Sequence, residues 1–152
     1  MNDLIADDHK IDILKKLIDE SPESQSSNEL KELGMGCSYK HTFLPNLYVR
    51  EMFIPKDLII ISEVHRTEHP YFILSGDVSV YSNNGGLVRI KGPFSGVTKP
   101  MTRRALHTHE DTVWTTVHAT EKTDIEEIGN DILATEQEYK LYLESKKKEI
   151  PE

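Results

Sequence analysis

Six short runs rich in Val, Ile, Thr, Tyr and Phe follow one another between residues 38 and 119: "SYKHTF", "LYVREMFI", "LIIISEVH", "YFILSGDVSVYS", "LVRIKG" and "TVWTTVH". None carries a helical period. Turn formers separate them, at Pro45-Asn46, Pro55-Lys56-Asp57, Asn84-Gly85-Gly86 and His109-Glu110-Asp111. "SNNGG" between "VSVY" and "LVRI" is a strong hairpin signal. Short, evenly spaced strands without crossover helices predict an all-β core, folded as an antiparallel sandwich or barrel.

The ends read differently. In "DLIADDHKIDILKKLIDE", Leu4, Ile11, Leu14 and Ile18 share one helical face, with Ile13 and Leu17 alongside. A polar linker, "SPESQSSNE", follows, and Asn28 can cap a short helix that stops at Gly34. The first helix either packs on its own domain or, freed by the linker, offers a surface to a partner. After residue 120 the helical period returns. Capping boxes are expected at Thr123–Glu126 and Thr135–Glu138, and Lys146, Lys147 and Lys148 suit a helix C-terminus. The organisation is therefore a helix and linker over 1–35, a β domain over 36–120 and a helical tail over 121–152. Tails of this kind brace a domain edge or an oligomer contact.

Charge narrows the partners. The net charge of -8 repels phosphate backbones, which argues against nucleic-acid binding. No apolar run approaches the roughly 20 residues that span a bilayer, and "MNDLIADDHK" has neither the basic nor the apolar region of a secretion signal. A membrane partner and secretion are not expected. Cys37 is the sole cysteine, so an internal disulfide cannot form and a reducing setting fits.

The chemistry concentrates in "SEVHRTEHPYFILSGDVSVY", residues 62 to 81. Strand alternation places Ile59, Ile61, Glu63 and His65 on one face, and the two isoleucines imply that this face points inward. After "RTE", the next strand puts His69, Tyr71 and Ile73 on one face. Glu63, His65 and His69 are thus candidate metal ligands. Two neutral imidazoles and a carboxylate suit a divalent first-row ion and leave positions open for substrate. Histidines beside a carboxylate gain from protonation, so their pKa values are expected above about 6.5 in the metal-free protein. On the closing strand, Trp114, Thr116 and His118 fall together, either as a packed Trp with a rim histidine or as a pocket wall that stacks a planar ligand.

This stretch resembles the first motif of the cupin superfamily, whose pattern is Gly, five residues, His-x-His, three or four residues, Glu, six residues, Gly. His65 matches the second histidine and Gly76 the closing glycine, with "YFILSG" similar to the usual run into the turn. Glu63 stands at the first histidine, His69 at the glutamate and Asp57 at the opening glycine, so ligand types persist with Glu and His exchanged. The second cupin motif is poorer. In "TKPMTRRALHTH", Pro100-Met101-Thr102 offers the turn, and either Arg104 or His107 falls at the ligand histidine. The two have opposite strand parity, so only one can face a cavity without a bulge. Arg104 there would pair with a carboxylate or phosphate rather than a metal. The segments "YKHTFLPNLYVREMFIPKD", "EVHRTEHPYFILSGDVSVY" and "DTVWTTVHAT" also resemble small single-domain cupins encoded by tailed bacteriophages.

The resemblance implies a double-stranded jelly roll with helical N- and C-terminal appendages. It implies a possible divalent cofactor (Fe, Mn, Ni or Zn) at Glu63, His65 and His69. Arg104, Tyr71, Trp114 and His118 are the residues expected to meet a small anionic ligand. Two functions follow. The degraded motifs and helical ends favour a non-catalytic binding or assembly module, with no catalytic residue. Such a module would sit in the host cytoplasm or virion and would associate, as a homo-oligomer or with a partner protein, through terminal helices or a sheet face. The alternative is a small metal-dependent oxygenase or isomerase acting on an acidic small molecule.

Overall fold

The computed structural model describes residues 3–21 and 36–148. The polar linker and the short helix expected between Asn28 and Gly34 lie outside them. Helix α1 spans Asp3–Glu20, and the nine strands are β1 (Ser38–Leu44), β2 (Leu47–Ile54), β3 (Ile59–Ile61), β4 (His69–Ser75), β5 (Asp77–Ser82), β6 (Gly86–Lys91), β7 (Phe94–Thr98), β8 (Arg104–Thr108) and β9 (Thr112–Ala119). Helices α2 (Ile125–Ile132) and α3 (Glu136–Lys147) close the chain. Among the described residues, no helix is long and apolar enough to cross a membrane.

The strands form two antiparallel sheets, ordered β1-β2-β9-β4-β7 and β3-β8-β5-β6. Apart from the β1–β2 and β5–β6 hairpins, successive strands cross from one sheet to the other, as in a jelly roll. The expected hairpin is present: β5 and β6 pair down to Ser82 opposite Gly86, and Gly86 takes a positive φ of 64° at the turn. The long run "YFILSGDVSVYS" does not form one strand. It bends at Gly76, whose φ is 121°, so β4 lies in one sheet and β5 in the other. "FSGVT", which the run-by-run reading passed over, forms the edge strand β7.

The inner faces meet in a core of Ile54, Tyr71, Ile73, Val78, Val80, Ile90, Leu106 and Trp114. Tyr71, Ile73 and Val80 point inward as alternation predicts. The alternation expected of "LIIISEVH" is reversed. Leu58 and Ile60 pack on the core, whereas Ile59 is 45% exposed. An all-apolar run carries no record of its own parity, and a one-residue slip exchanges the two faces. The strand also ends at Ile61, so alternation cannot be carried on to Glu63 and His65.

The appendages pack on this chain. Ile11 of α1 is fully buried. Tyr81 donates to Asp7 at 2.5 Å, Tyr139 of α3 donates to Asp8, and Arg103 bridges Asp8 at 3.3 Å and Asp12 at 2.6 Å. Of the two readings of α1, packing on its own domain is the one observed, although Ile13 and Leu17 remain exposed. Helix α2 starts one residue later than expected, with Asp124 accepting from the Glu127 amide, while the Thr135–Glu138 capping box is present. Ile128 and Ile132 of α2 pack on Tyr48, closing one end of the sandwich.

Candidate metal centre

That end holds the histidines. Strands β2, β4 and β9 lie side by side, and their inward positions put Tyr48, His69 and His118 close together. Tyr48 is opposite His118 in the β2–β9 ladder, and Tyr71 is opposite Thr116 in the β4–β9 ladder. His69 and His118, two residues further along from that second pair, have ring centroids 4.5 Å apart. His65 joins them at 4.6 Å from His69 and 5.4 Å from His118, stacked on the latter within 12°. The ligand nitrogens of the three lie within 4.8 Å of one another. Bound at about 2.1 Å, three nitrogens of a tetrahedral site stand about 3.4 Å apart, so rotamer shifts on the scale of an ångström bring these into range.

His65 is placed by the C-terminal tail and not by a strand of the sandwich. It forms a β-bridge with Leu133, between α2 and α3. The Arg66 amide donates to the Ile132 carbonyl and the Ala134 amide to the Val64 carbonyl. Arg66 Nη2 donates to the Leu133 carbonyl at 2.7 Å and pairs with Glu138 at 2.6 Å. Arg66→Ala is expected to lower stability by about 1–2 kcal/mol. It should also weaken metal binding by roughly tenfold through loss of His65 positioning. Cobalt titration of the variant checks this, and an unchanged affinity would detach the tail from the site.

Hydrogen bonding prepares two of the three rings. His69 Nδ1 lies 3.1 Å from the Thr67 carbonyl, which only a ring N–H can satisfy, so Nε2 keeps its lone pair. His118 Nε2 meets the Thr116 hydroxyl at 2.9 Å, and its Nδ1 is buried without a partner. A buried imidazole nitrogen left unpaired is costly unless something binds it. Together with a donor set of neutral nitrogens, this orphan atom fits a divalent first-row metal.

Electrostatics keep the rings neutral. Burial first, then neighbouring His69 and His118 and the cations Arg50 and Arg104, push His65 down to about 3. Burial, His69 and Arg50 push His118 down to about 4. Burial, with Arg104 and Arg50, lowers His69 as well, against the opposing Thr67 hydrogen bond. The expected upward shift is therefore reversed. It required Glu63 beside the rings, and Glu63 is exposed and outside the set of mutually close ligands. The chain has left β3 by then, and only His65 turns back in.

A chamber of about 730 Å³ adjoins the histidines. His65, His69, Arg104, Trp114 and Thr116 line it, with Glu63 at an exposed edge. His118 stands behind His65 and His69 and does not line it. Arg104 donates to Thr98 Oγ1 at 2.9 Å and lies over the rings of Tyr71 (5.0 Å) and Trp114 (5.7 Å). Tyr71 stacks on Trp114 at 4.9 Å and is part of the buried core rather than of the chamber wall. His107 sits on the other face of β8, against His109 at 4.7 Å. Cys37 also lines the chamber, its thiol pushed up by burial.

Sequence reasoning passed over Arg50. It follows Tyr48 and precedes Met52 and Ile54 at alternate positions of β2, all on the inner face, so alternation places it inside. Arg50 lines the chamber, with its guanidinium 4.7 Å from the centre of the Tyr39 ring. His118 was in view as a ligand-contacting residue, but its place among the metal candidates depends on the β4–β9 pairing.

No protein family and no curated protein matches the sequence. Solved structures with similar folds include the hydroxypropylphosphonic acid epoxidase from S. wedmorenis, at 12% identity and a TM-score of 0.47 over 54% of this chain and 50% of that one. The alignment therefore spans half the length of the epoxidase. KdgF from Halomonas sp. gives 15% identity and a TM-score of 0.49, over 59% of this chain and 83% of that one. A conserved protein of unknown function from Streptococcus pyogenes gives 14% and 0.46, over 59% and 78%.

Proposed function

We propose that this protein is a metal-binding jelly roll of the cupin type, taking a divalent first-row metal on His65, His69 and His118 and a small acidic molecule in the adjoining chamber. The observation that carries this reading is the set of three imidazoles within 4.8 Å, held neutral by burial and by Arg50 and Arg104. When bound, such a metal supplies Lewis-acid polarisation of a ligand oxygen. Arg104, fixed by Thr98 and the Tyr71–Trp114 stack, orients an anionic group, and Trp114 and Thr116 shape the wall around it. Small-molecule chemistry of the oxygenase or isomerase type fits this arrangement better than a purely structural module, which would leave two buried imidazoles, a half-buried third and two inward arginines without a use. Association through terminal helices or a sheet face, in a host cell or a virion, is compatible with this reading.

Protein purified without a histidine tag and supplied with Fe, Mn, Ni, Co or Zn should carry close to one metal per chain. In His65→Ala/His69→Ala the affinity should fall on the order of a hundredfold or more. Absence of metal at saturating supply, or metal retained by the double variant, would overturn the site.

A further inference from the structure

Three neutral imidazoles bring no negative charge to a metal, and the chamber beside them is cationic. Arg50 and Arg104 both line it, and both act electrostatically on His65 and His69. Among the described residues neither takes part in an ion pair. Their neighbours are aromatic rings and a hydroxyl: Tyr39 for Arg50, and Tyr71, Trp114 and Thr98 for Arg104. The one carboxylate among the described lining residues is Glu63, which is exposed. A divalent ion on the histidines would therefore share a partly dry space with two guanidinium groups and no compensating charge. Such a collection of cations favours an anion, because charges in a partly enclosed cavity are screened less than in open water. Part of the remaining wall is apolar, built from Met52, Leu58, Ile60 and Leu106, and part is polar, with Ser38, His41, Ser62 and Thr102.

We propose that the metal and a small organic dianion with an apolar body occupy this chamber as a pair, each raising the other's affinity, with Arg50 and Arg104 clamping the anion. This rests on the three-histidine metal site proposed above. Guanidinium groups present paired donors that match the planar fork of a carboxylate. The apolar wall takes the body between the charged end and the core. The coupling is reciprocal by linkage, so the anion tightens the metal by the same factor as the metal tightens the anion.

The test is calorimetric titration of the full chain with Co(II), alone and with saturating phthalate, benzoate or benzamide, corrected for cobalt bound by each additive in buffer. These probes share one ring and carry two, one and no negative charges. Phthalate should tighten Co(II) by about tenfold or more, benzoate by less, and benzamide should leave it unchanged. Arg50→Gln and Arg104→Gln should each tighten Co(II) in the absence of anion, because a repelling charge is removed, and should each reduce the phthalate effect. If Arg104→Gln fails to fold, Arg50→Gln carries the same test, since its side chain rests on the exposed Tyr39. Co(II) affinity that is indifferent to phthalate, or to both substitutions, overturns the pairing and leaves the metal site standing. No Co(II) binding with or without phthalate overturns the metal site and the pairing together.

Discussion

Gly76→Ala should destabilise this protein by about 3–5 kcal/mol, combining backbone strain with overpacking. Gly76 stands where the chain passes from β4 in one sheet to β5 in the other, at a φ of 121°. A Cβ there would lie 2.3 Å from Thr112 Oγ1 and 2.7 Å from the Thr112 Cα. Thr112 cannot yield, because it is fully buried at the start of β9 and its hydroxyl donates to the Glu110 carbonyl at 2.9 Å. Domains of this size have about 5–15 kcal/mol in total, so the variant should sit near its folding threshold. Gly86→Ala is the control. Gly86 also has a positive φ, of 64°, but an added Cβ meets nothing within 4 Å, so its cost should stay near 1–2 kcal/mol. Urea midpoints at matched m-values would decide the matter, and equal losses for the two variants would refute the close-packing account.

Acid should begin to destabilise the metal-free protein above the pH range in which its carboxylates are protonated. His65 and His118 are held to about 3 and about 4 in the folded state, against an ordinary value near 6.5 in the unfolded chain. Below pH 6.5 the unfolded chain takes up protons that the folded chain refuses. Stability contributed by these rings is therefore fully present above pH 6.5 and lost as pH falls towards the folded values. Between pH 6.5 and 4 the loss should be about 3–5 kcal/mol, the two rings being coupled to each other and to His69. Urea unfolding of metal-free protein at a series of pH values would show it. A His118→Phe variant should flatten the curve. A stability that does not change from pH 6.5 to 4.5 would mean that the rings are not held neutral.

How much of this was legible beforehand depends on the strand. On β4 and β9 polar residues mark the parity: His69 falls in step with Tyr71 and Ile73, and Thr116 and His118 in step with Trp114. Those residues are the ones found buried, and Phe72, although apolar, lies on the exposed face. At β3 the apolar run Leu58–Ile61 leaves the parity arbitrary, and a one-residue slip places Glu63 on the inner face. The candidate site was accordingly read as two histidines and a carboxylate. The histidines met, and the third imidazole came from β9, a strand 49 residues further along the chain from His69 to His118.

The sequence by itself determined the class of fold, through turn residues, a hairpin and a two-residue period, which are local properties. It also placed His69 on the face of Tyr71 and Ile73 and His118 on that of Trp114, since strand parity is local, while on β8 it left Arg104 and His107 as alternatives. Tertiary structure alone decided the membership of the site. His118 reaches His69 through the pairing of β4 with β9, and His65 is set by a bridge to Leu133 and by the Arg66–Glu138 pair. Both contacts join distant parts of the chain, where loop closure and packing, and not any nearby residue, select the partner.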